Sequence, residues 1–302
     1  MAEQIKKKCV LALGFFDGVH LGHAALMRRT VERARELGVE SAALTFDTHP
    51  DTLVRGEAVD LINSTMDRAW LIRHLFGIDR VEFFTFTETS MRMPWRDFLD
   101  HVREKLQCVH LVVGYDFRFG WRGEGDPALL QDYCRENGLS CDIIDKVELQ
   151  GVTVSSTYIR RLLRAGDMPT AEAFLGHPHI LTDTVRRGFQ LGRRMDAPTV
   201  NMRIPLGVLV PRHGVYATRI TLPEGKFSAV TNIGVRPTVS RGDVLTVETH
   251  LLDFSGNLYG RTLVLEFFAH LRDEIRFSSV EELSAQIASD GERARKILEG
   301  HP

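Results

Sequence analysis

The sequence predicts two folds in one chain: a doubly wound, Rossmann-like α/β domain, then an antiparallel β-barrel domain with a terminal helix. Three observations predict it. In the first half, apolar runs of strand length alternate with helix-length segments, the pattern of a parallel sheet covered on both faces. Glycines 38, 77, 138 and 166 each sit just past a helical pattern, where a left-handed cap is needed. After Gly176-His177-Pro178-His179, strand-like runs follow one another with Gly, Pro and Asn between them. The boundary falls near residue 178, giving domains 1–178 and 179–302.

Cys9 to Leu13 reads as a strand and Leu21 to Leu37 as the helix after it. Between them runs Gly14-Phe15-Phe16-Asp17-Gly18-Val19-His20-Leu21-Gly22-His23. A strand therefore feeds a glycine-bearing turn, and the turn feeds a helix start, where free N–H groups and partial positive charge suit a phosphate. His20 and His23 share one face of that first turn. Gly22 between them leaves room for a phosphate to approach the backbone. In parallel sheets ligands bind beyond the C-terminal strand ends, where this turn falls. Val39 to Phe46 is the second strand. Ser64 caps a helix ending near Gly77, Arg80 to Phe84 is a strand, Pro94 opens a helix reaching Leu106, and Cys108 to Val113 is another strand. Asp126-Pro127 supplies a cap and a first-position proline for a helix leading to Gly138. The later strands are Ile180 to Arg186, Val215 to Leu222, Phe227 to Ile233, Leu245 to Leu252 and Thr262 to Ala269. The last helix starts at Ser279, with Glu282 completing a capping box, and runs to about Leu298.

Composition narrows the function. The 302 residues are 43% hydrophobic, enough for two sizeable cores. A formal net charge of −2 gives no basic footprint for nucleic acid. Cys9, Cys108, Cys134 and Cys141 show neither a disulfide framework nor C-x-x-C metal spacing, which suits reduced thiols in a cytoplasmic protein. No signal-like N-terminus and no membrane-length apolar run is present, so no membrane partner is expected.

His20-Leu21-Gly22-His23 resembles the H-x-G-H signature of nucleotidylyltransferases, and the longer string resembles the G-x-F-D-G-V-H-x-G-H of prokaryotic FAD synthetases. Thr45-Phe46-Asp47-Thr48-His49-Pro50 is similar to their T-F-x-P-H-P element, with Thr48 replacing the usual proline. Gly114-Tyr115-Asp116-Phe117-Arg118-Phe119-Gly120 resembles their G-x-D-F-x-F-G, although the Arg122 segment after it departs in order. Val154-Ser155-Ser156-Thr157-Tyr158-Ile159-Arg160 resembles I-S-S-T-x-I-R. The resemblance implies a nucleotide and flavin site drawn from Gly14, Phe16, Asp17, Gly22, Asp47, Asp116, Phe117, Ser155, Ser156 and Thr157. His20, His23 and Arg160 would hold ATP phosphates and stabilise charge as the FMN phosphate attacks the α-phosphate. Two alternatives stay open: Phe117 and Phe119 as plain loop packing, and Ser155 or Ser156 as a plain helix cap.

The second half resembles riboflavin kinases. Gly188-Phe189-Gln190-Leu191-Gly192-Arg193 before Pro198-Thr199-Val200-Asn201 is similar to G-x-x-x-G-R…P-T-A-N. Asn232 to Thr238 matches N-I-G-x-R-P-T, Glu248 to Phe254 resembles E-V-H-L-L-D-F, and Arg272 to Phe277 fits the segment before the last helix. Taken in order along nearly the whole chain, these motifs resemble the bifunctional riboflavin kinase/FAD synthetase family. The resemblance implies ATP, riboflavin and FMN as substrates and a divalent cation, normally magnesium; weak self-association is a separate expectation, and the sequence does not set the oligomeric state. Its kinase site would comprise Gly188, Gly192, Arg193, Asn232, Arg236 and Arg272, with Thr199 and Asn201 offering neutral oxygens to magnesium. Glu248 would accept the proton of the ribityl hydroxyl; His250, two residues along on the same strand face, is the rival base. Asp196 puts a carboxylate where the family has glycine. Two other functions remain: an adenylyltransferase with an impaired kinase barrel, and a non-catalytic flavin-binding regulator.

Overall fold

The computed structural model describes residues 7–48, 52, 59–186, 199–236 and 244–301. The chain divides into two compact units. One contains the residues up to Leu61 together with Arg68–Ser155; the other contains Ile62–Asp67 and the residues from Ser156 onward.

Among the described residues the first unit holds a sheet of five parallel strands: β1 (Cys9–Leu13), β2 (Glu40–Phe46), β3 (Arg80–Phe84), β4 (Cys108–Gly114) and β5 (Ser140–Ile144). Their spatial order is β3-β2-β1-β4-β5. Every β1 residue is buried, as a strand covered on both faces requires, so its sequence is a continuous apolar run. The connections run outward in one direction through β2 and β3 and in the other through β4 and β5. The switch point therefore lies at the carboxyl ends of β1 and β4, where such sheets take ligands.

Helix α1 (Leu21–Leu37) follows β1 because Ala24, Met27, Thr30 and Ala34 repeat at helical spacing on its buried face. Gly38 ends it at φ 65, its N–H returning to the Ala34 and Arg35 carbonyls. Elsewhere on α1, Arg29 and Arg33 reach Asp142 of β5 at 2.7 and 3.2 Å. Asp142 also meets Nε2 of the buried His110 at 3.0 Å, and Nδ1 of that ring meets Ser140 Oγ at 2.6 Å. This network fixes α1 across β4 and β5.

Helix α2 (Thr65–Phe76) precedes β3; the short α3 (Glu88–Met91) and α4 (Trp95–Leu106) follow it, and α5 (Pro127–Glu136) precedes β5. As expected, Asp126 caps α5, accepting the Leu129 N–H, with proline in the first turn. Phe98, Leu99 and Val102 of α4 and Leu130 and Tyr133 of α5 join the strands in one core. β5 was not expected from the sequence, because Cys141-Asp142 interrupts any clean alternation. A small hairpin, β6 (Glu148–Leu149) with β7 (Val152–Thr153), closes the unit.

The second unit opens with helices α6 (Ser156–Ala165) and α7 (Met168–Leu175). Its strands are β8 (His179–Thr184), β9 (Thr199–Met202), β10 (Gly214–Leu222), β11 (Gly225–Arg236), β12 (Val244–Leu251) and β13 (Thr262–Arg272), in the order β8-β13-β10-β11-β12-β9. Each neighbouring pair in that order is antiparallel. The sheet curls until its two ends touch at one point: Arg186, just past β8, bridges Asn201 of β9, its N–H donating to the Asn201 carbonyl at 3.1 Å. Inside, the buried hydroxyls of Thr218, Thr231 and Thr249 form a chain at 2.7 and 2.8 Å, satisfying one another.

Helix α8 (Val280–Glu299) packs its Ala294 against Val215, Ala217, Val230 and Leu271. Ser279 caps it by accepting the Glu282 N–H at 3.2 Å. The expected capping box is one-sided, because the Glu282 carboxylate instead takes the Ser278 N–H and hydroxyl at 3.0 and 2.8 Å.

Candidate functional site

The turn after β1 is strained and buried. Phe16, Gly18 and Val19 have φ of 55, 80 and 45°. For a β-branched residue such as Val19 this is an outlier, and each such residue costs on the order of 1–3 kcal/mol. Burial offsets the cost: Phe16, Asp17 and Val19 are 1%, 2% and 0% exposed. Gly14 makes the turn sterically feasible, since a Cβ there would lie 2.5 Å from the Phe16 ring. Its N–H donates to the Leu44 carbonyl at 3.2 Å, extending the β1–β2 pairing.

His20 stands at the N-cap of α1, and its Nδ1 accepts the His23 N–H at 3.4 Å. The two imidazoles stack with centroids 3.6 Å apart and planes 14° from parallel. The Phe16 ring meets His23 edge-on at 5.3 Å. A Cβ at Gly22 would lie 3.1 Å from the His20 ring, so this glycine admits the stacked imidazole. His23 Nδ1 is shut off from water and has no hydrogen-bond partner among the described residues. Burial, then His20 and Arg68, hold the His23 pKa well below the usual histidine range, so the ring is neutral at neutral pH.

Asp47 closes β2, and its Oδ1 accepts the Phe86 N–H at 3.1 Å. Asp116 and Phe117 lie just past β4, the strand beside β1. Asp116 is exposed and Phe117 half-buried, stacked on the core residue Phe119 at 5.5 Å. Ser155 follows the β6–β7 hairpin, and Ser156, Thr157 and Arg160 occupy the first turns of α6. His49 and Asp196 lie outside the described residues.

One residue that sequence reasoning missed is Arg68 on α2, fully buried with its guanidinium on carbonyls of the turn after β1 and of β2. The available signal was a charged residue at the apolar-face spacing of Leu71 and Ile72.

On the barrel, register assembles the predicted kinase residues. Asn201 of β9 lies opposite Glu248 of β12, which lies opposite Asn232 of β11. Thr199 likewise lies opposite His250. Directly paired residues share a face, and so do residues two apart, so all five line one surface. They are half-buried, whereas the alternating Val200, Met202, Val247 and Thr249 are buried in the interior. The same surface carries Val215 and Val230, which seat α8.

Asn232 Nδ2 donates to Glu274 Oε1 at 3.1 Å, bringing a second carboxylate to the row. Glu274 also overlies Gly234, where a Cβ would collide with its carboxylate. Its segment was singled out in the sequence, but no role was attached to it. Arg272 is engaged by Asp290 of α8, with Nη2 to Oδ2 at 2.8 Å and Nε to Oδ2 at 3.0 Å. Gly188, Gly192 and Arg193 lie outside the described residues, as does the side chain of Arg236 at the end of β11.

The FAD synthetase family matches residues 2–158, and the riboflavin kinase family matches residues 175–298. A bifunctional riboflavin kinase/FMN adenylyltransferase of Pseudomonas fluorescens is 37% identical over 290 residues, covering 96% of this chain and 93% of its own. The proteins of that name from Escherichia coli K12 and Bacillus subtilis are 36% and 32% identical, covering 99% and 97% of this chain and 95% and 94% of theirs. Among solved structures, one described as a macrolide-efflux protein from Streptococcus pneumoniae superposes with a TM-score of 0.82 at 25% identity, covering 97% of this chain and 95% of its own. No helix among the described residues is long and apolar enough to cross a membrane.

Proposed function

The chain belongs to the bifunctional riboflavin kinase/FMN adenylyltransferase family, and on that premise we propose how its residues divide the work. It is a transferase with two activities. Riboflavin and ATP give FMN and ADP; FMN and a second ATP give FAD and pyrophosphate. We assign the second step to residues 1–178 and the first to 179–302.

For adenylyl transfer, the N-terminus of α1 receives the triphosphate of ATP. Free helix N–H groups and the His20–His23 pair face the phosphates; on the family motif alone, Ser155, Ser156, Thr157 and Arg160 are kept for hydroxyl and guanidinium contacts to the triphosphate. His23 is neutral before ATP arrives. The incoming negative charge opposes the burial penalty and raises its proton affinity, so the ring donates to charge developing at the α-phosphate. The FMN phosphate attacks that phosphorus and pyrophosphate leaves; no covalent enzyme intermediate is needed. Gly14, Phe16, Asp17, Gly22 and Asp47 shape the turn, and Asp116 and Phe117 border the site at the end of β4.

For kinase transfer, Glu248 accepts the proton of the ribityl hydroxyl as its oxygen attacks the γ-phosphate. Thr199, Asn201 and Glu248 present a hydroxyl, an amide oxygen and a carboxylate, a donor set that fits magnesium. Thr199 and Asn201 would hold the ion, which when bound neutralises phosphate charge. Asn232 orients the row through Glu274. Arg272 docks α8 beside it, while Gly188, Gly192, Arg193 and Arg236 are kept for the nucleotide and flavin on the family motif. A cytoplasmic setting fits the four free thiols.

The observation that carries the two-activity reading is the Asn201–Glu248–Asn232 row, because the β1 turn alone supports adenylyl transfer without a kinase. The test supplies riboflavin, ATP and magnesium and separates flavins by chromatography. FMN forms first and FAD follows. Conversion of supplied FMN with no turnover of riboflavin would leave an adenylyltransferase only.

A further inference from the structure

Arg68 belongs to none of the motifs, and its guanidinium is 0% exposed. Nη1 donates to the Phe15 carbonyl at 2.8 Å, to Thr45 Oγ1 at 2.8 Å and to the Phe46 carbonyl at 2.9 Å. The Thr45 hydroxyl in turn donates to the Phe15 carbonyl at 2.7 Å. Arg68 Cζ also lies 4.5 Å from the centroid of the Phe15 ring. The chain leaving β1 and the chain ending β2 are therefore tied at one point. Nε and Nη2 are buried without a hydrogen-bond partner among the described residues. Burial lowers the guanidinium pKa to about 10, against the pull of Asp17 and Asp47, so the group stays charged at neutral pH.

A buried cation with unused donors is expensive, and a packed apolar side chain would stabilise the same place at lower cost. Phe15, the residue Arg68 tethers, immediately precedes the part of the turn with positive φ at Phe16, Gly18 and Val19. Such a turn persists only where its surroundings over-determine it. Within the turn the backbone contributes the Val19 N–H to the Phe16 carbonyl at 3.1 Å. The tether on Phe15 supplies the constraint from outside.

We propose that Arg68 is a positioning residue for adenylyl transfer, clamping the Phe15 carbonyl to the end of β2 so that the turn presents His20 and His23 to the phosphates of ATP. The proposal rests on the adenylyltransferase reading of that turn. Misplacing catalytic groups by about 1 Å can cost on the order of 10²-fold in rate, and the clamp acts at that scale.

The experiment uses the full chain with R68M, R68K and T45V; amide hydrogen exchange in β1 and β2 reports folding of the unit that holds Arg68, and the riboflavin kinase reaction serves as the control for the other unit. In R68M, FMN formation holds while FAD formation from FMN falls by about 10²-fold, in kcat rather than in KM for ATP. R68K keeps the charge without the fork and recovers part of the loss. A folded R68M that makes FAD at the wild-type rate overturns the proposal, as does a change in KM alone. If R68M loses amide protection in β1 and β2, T45V decides: reduced FAD formation with that protection intact supports the clamp, and unchanged FAD formation overturns it. Failure of the wild-type chain to convert FMN would instead overturn the adenylyltransferase reading.

Discussion

His20 and His23 reach their positions through a turn with three residues at positive φ, whereas Thr199, Asn201, Glu248 and His250 reach theirs through strand pairing. The two constructions fail differently. A strained turn depends on everything that restrains it: the room at Gly14, the buried Phe16 ring, the Arg68 tether. A paired row depends on a ladder that one side chain does not disturb. Changes around the turn should therefore cost both stability and rate, and changes in the row should cost rate alone.

The largest effect expected is in the row. Glu248→Gln keeps the shape but cannot take a proton, so FMN formation falls by about 10³-fold. Its melting temperature and its conversion of FMN to FAD stay at wild type. If the Gln variant turns over normally and His250→Ala is the inactive one, the base is His250.

The turn supplies the contrasting case. Gly14→Ala sets a methyl group 2.5 Å from the Phe16 ring, which must leave its buried seat. Overpacking of this kind costs about 1–3 kcal/mol. FAD formation and melting temperature both fall, with kinase turnover retained. The partner experiment is Gly234→Ala, where the new methyl meets the carboxylate end of Glu274, a side chain free to swing aside. There the kinase slows and the melting temperature holds. The opposite pattern in this pair would erase the distinction between the two sites.

That distinction also explains what the sequence revealed. Glycine caps are written locally, and Gly38, Gly77, Gly138 and Gly166 all have the expected positive φ. The strand–turn–helix at His20 is local too, so its elements were legible to the residue. β9 was harder, being four residues long and recognisable as a strand mainly through its pairing with β12. The Asn201–Glu248–Asn232 row is a fact of register between distant segments, which a motif names but does not place. Arg68 was illegible for the same reason, since its acceptors lie 53, 23 and 22 residues away. α7 went unseen as an element, although Asp167 caps it and proline sits in its first turn.

A smaller effect separates the units by pH. Burial is the leading cause lowering the pKa of His23, His110 and His179, the last to about 3. Each holds a proton less tightly in the folded than in the unfolded state, so unfolding takes up protons below about pH 6.5. Their contribution is therefore complete above that pH and is lost as the pH falls, with a limiting slope of roughly 1.4 kcal/mol per pH unit for a ring that stays neutral when folded. The first unit contains two of these histidines and the barrel unit one. Hydrogen exchange between pH 6.5 and 5 should show amide protection falling faster around β1 and β4 than around β10 and β11. Equal slopes would mean that these rings are not held neutral as their burial implies.

The most direct test of two separate sites in one chain mixes two defective variants. His23→Ala makes FMN from riboflavin but stops there, with FAD formation reduced by about 10²-fold or more. Glu248→Gln makes FAD only when FMN is supplied. Given riboflavin, ATP and magnesium, neither variant alone accumulates FAD. Their mixture does, because FMN released by one is taken up by the other. A mixture that makes no FAD, or a folded His23→Ala chain that has lost the kinase as well, would contradict independent sites.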